Sequence, residues 1–230
     1  MLFSSTEFLL AFFPIVLIGY FLVLKKSRKA QNVFLCIASL LFYAWGEPKF
    51  VFVMLASIFI NWAMGIFISK NTEKVKISRF FVALAVVANM GLLFVFKYVA
   101  FTLTNINNIF GSGFFVPSIV LPIGISFFTF QGLSYVIDVY RQKGKVQKNF
   151  LNVALYVSFF PQLIAGPIVR YETVANEIDN RHENWADFTY GVERFILGLS
   201  KKLLLADKLA VLSDQYFTIV NGSTGASVVG

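Results

Sequence analysis

Long apolar runs punctuated by short basic clusters constrain this chain more than anything else in it. Five runs stand out: Phe8–Leu24, Asn32–Trp45, Phe50–Ile68, Phe80–Phe96 and Pro122–Tyr140. Most approach 20 residues, the length that spans a bilayer core of about 30 Å. The chain is 57% hydrophobic and 14% charged, with 28 Phe. That is too little polar surface to cover a water-soluble globule. The pattern predicts an all-α, polytopic transmembrane protein. The net charge of +8 sits in loops between apolar runs, so it does not indicate nucleic-acid binding.

The basic clusters set a topology. Lys25, Lys26, Arg28 and Lys29 follow the first run. Lys70, Lys74, Lys76 and Arg79 follow the third, and Arg141, Lys143, Lys145 and Lys148 follow the fifth. The intervening connections, 46–49 and 98–121, hold only Lys49. This alternation obeys the positive-inside rule. It predicts loops 25–31, 69–79 and 141–149 in the cytoplasm, a multi-pass protein in the cell membrane, and the N-terminus outside. Met1–Glu7 carries no basic residue, so the first run reads as a retained span and not a cleaved signal. Residues 98–121 read as a short helix over 98–110 followed by a loop.

After residue 149 the pattern changes. Ser158–Tyr171 is apolar but contains Pro161, Gly166 and Pro167, with Gln162 and Arg170 as costly polar groups. Broken backbone inside a membrane survives only where protein or a water-filled cavity surrounds it. One reading is a bent or re-entrant helix lining an internal cavity. The other is a proline-kinked span with a packing role. The residues alone leave both open. Residues 172–187 are polar. Phe188–Tyr216 then reads as a helix interrupted by Lys201-Lys202, suited to lie in the headgroup layer.

Polar residues within the apolar stretches are Asn61, Asn89, Gln131, Asp138, Asn152 and Gln162. The amides read as interhelical glue, and Asp138 reads as an i,i+3 ion pair with Arg141. Cys36, the single cysteine, reads as small apolar filler. His182, the single histidine, lies in the polar stretch Asn180–Asn184 without a nucleophile nearby. It is not assigned as a base. There is no metal-ligand cluster, glycine-rich phosphate loop or nucleophile elbow, and no residue is assigned a catalytic role.

Six motifs carry a resemblance. They are Met1-Leu-Phe-Ser-Ser with Phe8-Leu9, Phe42-Tyr43-Ala44-Trp45, Leu121-Pro-Ile-Gly-Ile-Ser-Phe127, Tyr135-Val-Ile-Asp-Val-Tyr-Arg141, Phe159-Phe-Pro-Gln-Leu-Ile-Ala-Gly-Pro167, and Gly198-Leu-Ser-Lys-Lys202 with Ala206-Asp207. In this order the chain resembles the N-terminal half of a membrane-bound O-acyltransferase, of the bacterial branch acting on alginate and other cell-envelope glycans. The resemblance implies an acyltransferase that moves an acetyl group from a cytoplasmic donor, acetyl-CoA or another acyl donor, towards an extracellular glycan. It implies no tightly bound cofactor. It implies the lipid bilayer and a periplasmic or cell-surface acetyltransferase as partners. It also implies a tunnel between bent helices, which Pro161, Gln162, Gly166, Pro167 and Arg170 would help to shape. The family's membrane histidine would fall beyond Gly230, so residues 1–230 are expected to be the N-terminal part of one integral-membrane domain, inactive alone. Two other readings stand beside it. One is a small-solute transporter or channel, since broken helices also mark transporters. The other is a non-catalytic scaffold for a glycan-modifying complex.

Overall fold

The computed structural model describes residues 3–142, 144–163, 166 and 169–223, with side chains through 217 in the last helix. No strand occurs among the described residues. The chain divides into two compact units. One runs from Leu10 to Arg181; the other gathers the described parts of residues 2–9 and 182–230.

Helix α1 covers Phe8–Val23. Pro14 sits in a first helical turn just after a π turn over Phe8–Phe12, where its missing N–H leaves the preceding turn free to widen. Helix α2, Arg28–Gly46, starts where Ser27 Oγ accepts from the Ala30 N–H at 3.3 Å, an N-cap. It buries Asn32, Cys36, Ser39, Phe42 and Tyr43 on one face. Cys36 is buried within the core cluster, as apolar filler would be.

Two helices are long and apolar enough to cross a membrane: α3, Val51–Lys70, and α4, Val75–Phe110. The second differs from the sequence reading, which ended a span at Phe96 and began a separate helix at 98. The structure runs through both in 36 residues, about 54 Å at 1.5 Å per residue. A π turn over Phe94–Tyr98 absorbs the junction. The stretch turned polar at its asparagines, but it holds no backbone breaker until Gly111. That residue ends the helix at φ +64°, a left-handed C-terminal geometry suited to glycine. Asn107 then clamps the turn: its Oδ1 accepts from the Phe114 N–H at 2.9 Å and its Nδ2 donates to the Phe114 carbonyl at 2.8 Å.

Helices α3 and α4 are joined by a reciprocal amide pair. Asn61 Nδ2 donates to Asn89 Oδ1 at 3.0 Å, and Asn89 Nδ2 donates to Asn61 Oδ1 at 2.9 Å. The remaining amide hydrogens go to the Ser57 and Ala85 carbonyls. These two amides therefore act as the glue expected of them. Helix α5, Ile125–Tyr140, packs on both α3 and α4. Gly124 starts it at φ +76°, and a β-carbon there would press within 3.3 Å of the Leu163 carbonyl oxygen. Only glycine meets both conditions without strain.

Helix α6, Phe150–Ser158, is the centre of the first unit. Asn149 caps it, accepting from the Leu151 N–H at 3.0 Å. Every residue from Asn152 to Ser158 is buried, so the helix is covered all round. Helices α2, α3 and α5 pack against it, as does the later helix α8, Tyr171–Asn180. A four-residue helix α7, Phe160–Leu163, lies between α6 and α8.

In the second unit, α9 covers Trp185–Lys201, followed by a π turn over Lys202–Ala206 and α10 over Asp207–Ser223. Helix α9 begins three residues before the sequence reading placed it, because Asn184 Oδ1 accepts from the Asp187 N–H at 2.8 Å. The polar interruption does not break the helix; it widens one turn. There Lys202 Nζ meets Asp207 at 3.0 Å, an exposed pair worth little on its own. No residue of α9 is buried, and Ile196, Leu197, Leu204 and Leu209 are exposed.

Candidate functional site

The chain breaks at Phe159, whose φ of −52° and ψ of 113° leave the helix. The expected kink at proline is therefore displaced: Pro161 does not bend α6, it opens α7. In that first turn the missing N–H costs nothing. Gln162 and Leu163 both donate backbone N–H groups to the Phe159 carbonyl at 3.0 Å. The Phe160 N–H is satisfied from the side: Ser39 Oγ on α2 accepts it at 3.2 Å, while donating to the Leu35 carbonyl at 2.7 Å. Rings of Phe12, Phe42 and Phe160 enclose the corner, with centroids 5.3 to 5.6 Å apart.

The last carbonyls of a helix lack intrahelical partners, and α6 finds side chains instead. Gln162 Nε2 donates to the Tyr156 carbonyl at 2.7 Å, and Gln131 Nε2 reaches it at 3.5 Å. Gly166 lies so close to the returning chain that a β-carbon would come within 2.6 Å of Gln162 Cα and its carbonyl oxygen. The Tyr156 hydroxyl donates to the Val169 carbonyl at 2.7 Å.

Helix α8 closes over this corner and is held at both ends. At its start, Asp138 Oδ2 accepts from the Glu172 N–H at 3.2 Å, a carboxylate placed at a helix N-terminus. No ion pair between Asp138 and Arg141 occurs among the described residues, which corrects the sequence reading. The carboxylate serves the helix that packs on α5 in preference to an exposed arginine one turn away. Tyr171 is wedged between the rings of Tyr135 and Tyr156, with centroids at 4.8 and 5.3 Å. Tyr171 is almost fully buried between these rings, so it serves as a packing group.

At its end, α8 meets a polar network. Arg181 Nε donates to the Tyr20 hydroxyl at 2.6 Å. Arg181 Nη1 donates to Asn32 Oδ1 at 2.7 Å and to the Ile178 carbonyl at 3.1 Å. Asn32 Nδ2 donates to the same carbonyl at 2.9 Å and to Asn152 Oδ1 at 3.3 Å. Asn152 Nδ2 donates to Asp179 Oδ1 at 3.1 Å. Arg28 donates to the Tyr20 hydroxyl at 3.1 Å and to the Arg181 carbonyl. The Arg181 guanidinium also lies 5.2 Å from the Tyr20 ring centroid, a cation–π arrangement.

Between α2, the α6–α7 corner and α8 lies a pocket of about 190 Å³. Leu35, Leu155, Phe159 and Ile178 give apolar walls, and Gln162, Glu177 and Arg181 bring polar groups to it. A second pocket, about 230 Å³, lies between α3 and α4 beside Asn61 and Asn89, away from the break.

Of the residues singled out in the sequence, Gln162 lines the first pocket. Pro161 is exposed, Gly166 is half-buried against Gln162, and Arg170 is exposed immediately before α8. None of these three is part of the lining. Pro167 lies outside the described residues. His182 is exposed in the turn before α9. The described residues bring no group of three His, Cys, Asp or Glu side chains together. The sequence reading missed Tyr20, Arg28, Asn32, Asp179 and Arg181. One signal was present: Tyr171, Val174 and Ile178 fall on one helical face of a stretch read only as polar.

Comparison with known proteins agrees with the motifs. The membrane-bound O-acyltransferase family profile matches residues 140–229. Over 100% of its length the chain is 35% identical to a probable alginate O-acetylase AlgI of Pseudomonas syringae pv. tomato, covering 45% of that protein. It is 36% identical to the AlgI of Pseudomonas aeruginosa, again over 100% of this chain and 44% of the relative. A peptidoglycan O-acetyltransferase of Helicobacter pylori is 34% identical over 94% of this chain and 46% of its own length. The chain thus spans a little under half of these relatives. No solved structure matches it. Six motifs in order, a profile match through the helix break and similarity along the whole length lead to one finding: the chain is similar from end to end to proteins of the membrane-bound O-acyltransferase family.

Proposed function

We propose that these residues form the N-terminal part of one integral-membrane O-acyltransferase domain. It moves an acetyl group from a cytoplasmic donor, acetyl-CoA or another acyl donor, towards an extracellular polysaccharide such as alginate or another cell-envelope glycan. The observation that carries this reading is the end-to-end similarity to proteins named alginate O-acetylase and peptidoglycan O-acetyltransferase. The buried helix break beside a pocket supports it, because a broken helix within a bilayer needs a protein-lined or wet cavity.

In this reading α1 to α5 cross the plasma membrane in alternation. The N-terminus is outside and loops 25–31, 69–79 and 141–149 are cytoplasmic. Helices α9 and α10 lie along the headgroups. The donor is a substrate and not a resident cofactor. Gln162 contacts it in the pocket, while Pro161, Gly166, Pro167 and Arg170 shape the segment around it. The catalytic histidine belongs to the part of the protein that follows residue 230. A periplasmic or cell-surface acetyltransferase receives the acetyl group.

The test uses the full-length protein in native membranes supplied with acetyl-labelled CoA. Label should appear on the extracellular glycan or its partner enzyme, and Gln162→Ala should lower the rate several-fold. Solute uptake by the reconstituted protein without any acyl donor, and no label transfer, would replace this reading with a transporter. Transfer by residues 1–230 alone, with His182→Ala, would refute the assignment of catalysis to the second half.

A further inference from the structure

The pocket has one wall that is not secured by apolar packing alone. Helix α8 contributes Val174, Glu177 and Ile178 to it, and Arg181 just past its end adds a fourth residue. Both residues flanking α8 are extended: Arg170 at ψ 142° and Arg181 at ψ 144°. The N-terminal flank is anchored by the buried Tyr171. The C-terminal flank is anchored by side-chain hydrogen bonds, one from Asn152 of α6 to Asp179 and the rest to a different part of the bundle, the end of α1 and the start of α2. Two arginines share one acceptor there: Arg28 and Arg181 both donate to the Tyr20 hydroxyl, at 3.1 and 2.6 Å. Placing two cations on one phenol is an arrangement with little packing benefit, yet it ties together three segments 8 and 161 residues apart in sequence.

We infer that Arg181 is a positioning residue and that Tyr20 and Asn32 are its catch. Together they latch the C-terminal end of α8 against α1 and α2, and so set whether the pocket beside Gln162 is open or closed. The latch is polar and reversible. The guanidinium can exchange Tyr20 and Asn32 for water at the cost of uncovering Ile178 alone, whereas freeing the other end would pull the Tyr171 ring from between Tyr135 and Tyr156. Helix α8 therefore swings about Tyr171, and the pocket opens between Ile178 and Leu35. That the ligand admitted is the acyl donor rests on the function proposed above; the latch itself does not.

The test is cysteine accessibility in the purified full-length protein, with any other reactive cysteine removed. Val174→Cys reports from the pocket wall, and the exposed neighbour Thr173→Cys reports from the outer face of the same helix. A water-soluble maleimide is the probe. Tyr20→Phe keeps the ring and removes only the shared hydroxyl; Arg181→Ala removes the latch, and Arg181→Lys keeps the cation but loses the planar fork that reaches Tyr20 and Asn32 through separate nitrogens. Labelling at Val174→Cys should accelerate by at least about tenfold in Arg181→Ala and Tyr20→Phe, since one lost charge-assisted hydrogen bond carries that factor and each variant removes more than one. Arg181→Lys should fall between, and labelling at Thr173→Cys should stay constant. In acetyl transfer, the same variants should raise KM for the donor with kcat kept.

Unchanged labelling at Val174→Cys in both variants would overturn the latch. So would an equal rise at Val174→Cys and at a Met54→Cys reporter in the distant core, which would mean general loosening. Protection of Val174→Cys by excess acetyl-CoA reads on the donor assignment alone. Its absence, with the latch response intact, would count against the proposed function and not against the latch.

Discussion

Ser39 is where the second helix props the broken one, and its removal gives a quantitative test. Ser39→Ala deletes one oxygen at a site with 0% exposure. The helix carbonyl of Leu35 keeps its own backbone partner, so losing that bond costs little. The Phe160 N–H is different. It opens α7 with no intrahelical acceptor, and Ser39 Oγ at 3.2 Å is its partner. A buried donor left without an acceptor costs about 1–3 kcal/mol, and better helix propensity of Ala recovers only about half a kcal/mol. We expect net destabilisation of about 1–2 kcal/mol by this reasoning. Ser57→Ala is the matched control. Ser57 is also buried, at 4% exposure, but its hydroxyl has no hydrogen-bond partner. The same substitution should there be neutral or slightly stabilising. Both variants of the full-length protein would be unfolded by SDS titration from mixed micelles and followed by tryptophan fluorescence, with hydrogen exchange at Phe160. Equal stabilities for the two variants, or unchanged exchange at Phe160 in Ser39→Ala, would refute the account of how the corner is held.

Other consequences follow from the packing. Asn61→Ala and Asn89→Ala should each destabilise, and the double variant should cost less than their sum by about 1–2 kcal/mol, as two reciprocal interhelical bonds allow; the same unfolding assay completes the cycle. Gly166→Ala should cost about 1–3 kcal/mol and reduce acetyl transfer, because its β-carbon would meet the Gln162 backbone. Gly191→Ala, with nothing within 4 Å of the added carbon, should leave both unchanged or better. Asp138→Asn should weaken α8 by about 0.5–1 kcal/mol through its N-terminus, while Arg141→Ala should stay within about 0.5 kcal/mol of the parent. A cost for Arg141→Ala matching that of Asp138→Asn would restore the ion pair and remove the capping role.

Period and punctuation carried much of the helical content. The apolar runs foretold α1, α2, α3 and α5, and the pair of prolines foretold a break near 160. The break's position was not readable. Proline marks where a helix can begin as well as where it must stop, and only Ser39 on another helix shows why the corner falls at Phe159. The π turn in α4 was equally hidden: asparagines suggested a boundary, yet no Gly or Pro enforced one. Gln162 was legible as a polar group out of place. Tyr20, Asn32 and Arg181 were not, because each is ordinary in its own segment. They became a set only when α1, α2 and α8 met, at separations of up to 161 residues. Asp138 illustrates the same limit, since the nearest opposite charge in sequence lost to a backbone N–H 34 residues away.

The most direct test of the central claim is photolabelling of the full-length protein with an acetyl-CoA analogue carrying a short diazirine-bearing acyl chain, followed by peptide mapping. The account predicts label on peptides containing Leu155–Gln162 and Val174–Arg181, lost in the presence of excess acetyl-CoA. Competable label confined to α3 and α4, with the corner at Phe159 unmarked, would contradict it.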